Sequence, residues 1–137
     1  MLNDYLLIEE LRGITRHERR DTLQRLGDEA ADHIRGRLLE SLPSHAHVIL
    51  LTHPPPMREA CWYEGHTADD NWAPHFTGAA MGQVIMATMP GFPDCKLTVL
   101  CGHTHNEGVV RPLPNVEIIT GDAEYQHPRI CRFFEVE

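Results

Sequence analysis

Three histidines stand where two apolar runs stop. Val48-Ile49-Leu50-Leu51 passes through Thr52 into His53, and Leu97-Thr98-Val99-Leu100-Cys101 passes through Gly102 into His103-Thr104-His105. Runs this short, rich in β-branched residues and bounded by Gly or Pro, read as sheet strands. In an open α/β sheet the strand C-termini border the crevice where ligands bind, so imidazoles at two such ends can converge. His103 and His105 are one residue apart, so an extended loop points both rings the same way, and Gly102 lets the backbone leave the strand sharply. Neutral imidazole is the commonest side-chain ligand for transition metals near neutral pH. His53, His103 and His105 are therefore the candidate ligands of a divalent metal ion.

Weaker candidates surround them. Asn106 follows the second pair and is placed to orient an imidazole by hydrogen bonding. The connection after His53 carries Cys61, Trp62, Tyr63, Glu64 and His66, then Asp69, Asp70, Trp72 and His75. Its aromatic and polar residues suit a substrate-facing wall, with His66 and His75 the candidate contacts, or equally a loop pinned to the core by its tryptophans. Asp122 follows Gly121 at another strand end, where turn chemistry is the commoner explanation. His45 and His47 flank the start of the first strand, at the end opposite the site. His17, His33 and His127 carry no spacing signal.

The elements that must position these residues are legible in outline. Leu23, Leu26, Ala30, Ile34, Leu38 and Leu42 recur at steps of three and four, the stripe of an amphipathic helix. Thr15 and Glu18 have the form of a capping box, and Pro43 closes the segment. Tyr5-Leu6-Leu7-Ile8 is either a strand or the approach to that helix. A short helix is expected over 77–89, ended by Pro90-Gly91. Further strands are expected over 116–120 and 130–136. One α/β domain spanning 1–137 results, with a long N-terminal helix packed on a mixed sheet.

Composition narrows the partners. The chain has 137 residues, 42% hydrophobic and 23% charged, the balance of a globular domain. A net charge of −8 argues against a nucleic-acid or anionic-membrane surface. No apolar run approaches a bilayer span, and no basic-then-apolar leader opens the chain. Cys61, Cys95, Cys101 and Cys131 are scattered, which reads as reduced thiols in a cytoplasmic protein, with Cys101 buried inside its apolar run.

Gly102-His103-Thr104-His105, with Leu51-Thr52-His53-Pro54 about fifty residues earlier, resembles the last two motif blocks of the calcineurin-like metallophosphoesterases. The resemblance covers most of the chain. It implies the C-terminal part of a four-layer αββα sandwich. It also implies a two-metal site (Mn, Fe, Zn or similar), in which His53 and His103 bind one ion and His105 the other. The implied reaction is hydrolysis of a phosphomonoester or phosphodiester by a metal-activated hydroxide. The family's Asp-x-His, Gly-Asp-x-x-Asp and Gly-Asn-His blocks are absent from this sequence. The expectation is thus a chain that supplies the histidines of a binuclear site and is inactive alone. Either a missing N-terminal half or a second copy would complete its sheet. The alternative is a non-catalytic, dimerising fragment with at most one structural or adventitious metal, because half a sandwich leaves a strand edge and an apolar face unprotected.

Overall fold

The computed structural model describes residues 4–63, 65–67 and 77–135. A helical turn, α1 (Asp4–Leu7), and a 3-10 turn over Glu9–Leu11 lead into the long helix α2 (Arg16–Ser41). The Tyr5–Ile8 run is thus the approach to α2 and not a strand. Local hydrogen bonds close it, and Leu6 and Leu7 stay exposed. The capping box forms as expected. Glu18 N–H donates to the Thr15 hydroxyl, and the Thr15 N–H donates back to the Glu18 carboxylate at 2.8 Å.

The buried stripe of α2 departs from the expected one. Ala31, Ile34, Leu38 and Leu42 face the interior, while Leu23 is exposed and so is Ala30. The reason is that α2 packs chiefly against the later short helix Ala79–Thr88, and only its C-terminal end, at Leu38 and Leu42, joins the core shared with the sheet. Periodicity alone cannot tell how far along a helix its partner extends.

The sheet contains β1 (His47–Leu51), β4 (Lys96–Cys101), β5 (Gly108–Leu113) and β6 (Val116–Thr120) in the order β1-β4-β6-β5. The first three of these positions are parallel to one another, and β5 returns antiparallel on β6. A separate two-stranded ribbon joins β2 (Trp62–Tyr63) to β3 (His66–Thr67). Register places Val48 beside Leu97, Leu50 beside Val99, and Val99 beside Ile118, so these share one face. On that face lie Leu38 and Leu42 of α2, and Met81 and Ile85 of the short helix α3 (Ala79–Thr88). His47, Ile49, Leu51, Thr98, Leu100, Glu117 and Ile119 project to the opposite face, where Leu51 is 71% exposed.

Two small features tie the layers together. Asn115, in the β5–β6 turn, donates its side-chain amide to the carbonyls of Phe92 at 2.9 Å and Cys95 at 3.1 Å. A longer contact reaches Met89, so one side chain ties this turn to the chain leaving α3. Gly82 of α3 meets the turn that follows β1: a Cβ built there would lie 2.0 Å from the Pro56 carbonyl oxygen. Only glycine permits that approach, and it braces the turn beginning at His53.

The strand expected over 130–136 is absent among the described residues. Residues 130–135 run without regular structure, with Ile130 and Phe133 exposed. Strand-forming composition needs an open ladder within reach, and none is reached here.

Candidate functional site

β1 and β4 are parallel neighbours, so they end at the same edge of the sheet. Their ladder continues past the last strand residues. Thr52 N–H donates to the Leu100 carbonyl at 3.0 Å, and Gly102 N–H donates to the His53 carbonyl at 3.0 Å. These bonds fix the backbone of His53 against the start of the second histidine loop. The result is that the rings of His53 and His103, from segments about fifty residues apart, lie with centroids 4.7 Å apart, edge to face.

The loop that presents His103 and His105 is not extended. Both residues have left-handed backbone, with φ of 70° and 59°. Thr104 N–H donates to the Gly102 carbonyl at 2.9 Å, which closes a γ-turn around His103 in its rarer, strained form. The sharp exit is therefore made by the histidines themselves. Gly102 does not occupy the left-handed region, and a Cβ on it would meet nothing. Non-glycine residues in this region cost on the order of 1–3 kcal/mol each and persist where the surroundings hold them. Two of those surroundings are visible. Thr104, between the rings, is buried, and the Asn106 amide donates to the Thr104 carbonyl at 2.9 Å. The contact of Asn106 is thus to the loop backbone between the two histidines.

His105 turns away from the other two rings. It lies against Tyr125, with centroids 4.7 Å apart, in the segment that follows β6. Among the described residues no three His, Cys, Asp or Glu side chains converge on one point. The structure brings His53 and His103 together and places His105 against Tyr125. Sequence spacing could not reveal this, because Tyr125 carries no motif signal.

The third parallel strand, β6, ends at the same edge with Gly121-Asp122. Cys131 and Arg129 both donate to the Asp122 carboxylate, and these bonds hold its pKa below the usual carboxylate range. Asp122 in turn raises the Cys131 thiol, which makes that thiol a poor thiolate at neutral pH. Cys101, just before Gly102, is buried as expected, and burial pushes its pKa up.

The remaining candidates fall elsewhere. His66 sits in the exposed ribbon strand β3, across from Tyr63. Trp62 lies over Gly108, where an added Cβ would meet its indole at 2.0 Å, so this tryptophan pins its loop to β5. Glu64, Asp69, Asp70, Trp72 and His75 lie outside the described residues. His45 and His47 lie at the start of β1, away from the site, with His47 hydrogen-bonded to the Thr98 hydroxyl at 2.9 Å.

The chain matches no family model, no curated protein and no solved structure. No helix among the described residues is long and apolar enough to cross a membrane.

Proposed function

We propose that this chain supplies the histidine ligands of a divalent-metal phosphoesterase site, acting on a phosphomonoester or phosphodiester. The observation that carries it is the His53–His103 pair, held ring to ring at the ends of adjacent parallel strands. Two imidazoles on one tetrahedral ion, with metal–nitrogen distances of about 2.0–2.1 Å, have ring centres about 5 Å apart. The observed 4.7 Å suits that arrangement with a small adjustment. The strained turn at His103 adds support, since such backbone gathers at functional sites.

His53 and His103 would hold the ion, and His105 would join them by leaving the face of Tyr125. A divalent ion there would supply Lewis acidity and lower the pKa of a coordinated water. The chain's own part is to fix the first two rings through the His53 carbonyl and the γ-turn. Three neutral imidazoles bring no negative charge, so a phosphate dianion would approach without repulsion from the ligands. The same lack of carboxylates weakens the hold on a second ion. In this proposal the sheet and its helices correspond to the C-terminal part of a calcineurin-like αββα sandwich, completed by strands outside the described set.

Activity is tested with a generic aryl phosphate in the presence of Mn²⁺ or Zn²⁺. The chain alone is expected to bind the ion with no appreciable turnover, and EDTA-sensitive turnover that His103→Ala removes is expected only once the missing carboxylate ligands are supplied in trans. Turnover that persists in EDTA would contradict metal participation.

A further inference from the structure

Among the described residues, every parallel strand of the sheet except β1 has neighbours on both sides. The Ala46 carbonyl and the Thr52 amide bond to β4, at Lys96 and Leu100. By alternation, His47, Ile49 and Leu51 direct their backbone groups outward, at the open edge. This edge carries none of the usual guards. It has no proline, lysine or acidic residue, and its Leu51 side chain is 71% exposed. The other edge is guarded: β5 contains Pro112 and Arg111, and its pairing with β6 is irregular between Val110 and Leu113.

A second observation supplies an occupant. Ile130-Cys131-Arg132-Phe133-Phe134 has the composition of a strand yet runs unpaired, with Ile130 75% and Phe133 84% exposed. An exposed apolar segment of this kind, in a chain with an open edge, is unusual for a monomer. We infer that the C-terminal segment of one copy adds as a strand to the β1 edge of a second copy, giving a reciprocal two-fold dimer.

Geometry favours the second copy over the chain's own edge. Arg129 and Cys131 are held to Asp122, at the end of β6. A strand outside β1 would lie three spacings from β6, about 14 Å. Residues 132–135 span at most about 13 Å when extended, so they cannot cross that distance and still run along β1. Pairing in cis would require the Asp122 contacts to break; pairing in trans keeps them. A buried phenylalanine covers on the order of 150–250 Å². Two per chain, used reciprocally, contribute at most about 600–1,000 Å², a large share of the about 1,200–2,000 Å² that specific interfaces bury. The inference does not use the metal ligands, although strands that completed the sheet at β1 would close this edge to a second copy.

The test is sedimentation and light scattering of the full chain across concentration, beside Phe133→Ser and Leu51→Lys. Both changes are at exposed positions. A dimer is expected for the native chain, weakened on the order of tenfold or more in each variant. Mixing the two variants should restore part of the dimer, since each retains the half the other lacks. Because each copy carries a charge of −8, added salt should strengthen the dimer. Amide exchange supplies a second readout: His47, Ile49 and Leu51 amides should slow as concentration rises. A native chain that stays monomeric overturns the inference, as does a dimer indifferent to Phe133→Ser, the mark of direct β1-to-β1 pairing.

Discussion

The same substitution should act with opposite sign at two helical glycines. In α2 a Cβ at Gly36 meets nothing within 4 Å, while in α3 a Cβ at Gly82 lies 2.0 Å from the Pro56 carbonyl oxygen. Gly36→Ala recovers helix propensity alone, a gain of about 1 kcal/mol. Gly82→Ala recovers the same amount but forces a backbone oxygen aside by more than about 1 Å. Pro56 cannot yield as a flexible side chain would, which puts the cost near the upper end of the about 1–3 kcal/mol typical of overpacking. The net is a loss of about 1–2 kcal/mol. For a domain of this size each kcal/mol moves Tm by about 3–4 °C. Thermal and urea denaturation should therefore place Gly36→Ala about 3 °C above the native chain and Gly82→Ala several degrees below it. The displaced Pro56 also belongs to the turn after His53, so the His53 ring resonances should shift in Gly82→Ala and stay put in Gly36→Ala. A Gly82→Ala protein as stable as the native chain would refute the close approach.

Two further outcomes follow from named contacts. Asn115→Ala should cost about 2–3 kcal/mol in urea denaturation, because it leaves partly buried carbonyls at Phe92 and Cys95 unpaired; an unchanged midpoint would show that the tie is not needed. Glu18 titrates below the ordinary carboxylate range, chiefly through its side-chain hydrogen bond with Thr15 and then through the Thr15 N–H. A lowered folded pKa stabilises above the unfolded value and is lost as pH falls through the folded one, so the effect fades below about pH 4. In Thr15→Ala the Glu18 pKa, followed by NMR titration, should rise toward its ordinary value.

Much of the scaffold was legible in the chain. The capping box at Thr15 and Glu18 and the apolar runs ending at Leu51, Cys101 and Thr120 formed where their patterns placed them, because each is dictated by neighbours in sequence. Residues 79–88 formed the short helix expected between 77 and 89. What failed to read depended on distant partners. The helix stripe shifted from Ala30 to Ala31 because α2 packs chiefly against α3, a partner that periodicity does not specify. β5, with Pro112 and Arg111 in its middle, hid its pairing with β6, and Ile130–Phe134 had strand composition without a ladder. At the site, His53 beside His103 followed from two parallel strand ends. The left-handed turn at His103 and the hold of Tyr125 on His105 carry no signature in spacing.

The central claim is that His53 and His103 hold a metal ion, and calorimetric titration of the chain with Zn²⁺ tests it most directly. One ion per chain is expected, with affinity reduced on the order of tenfold or more in His53→Ala and in His103→Ala. His45→Ala, whose ring instead contacts the Ser41 carbonyl, should leave the titration unchanged. Binding that is the same in all four proteins, or absent from the native chain, would contradict the assignment.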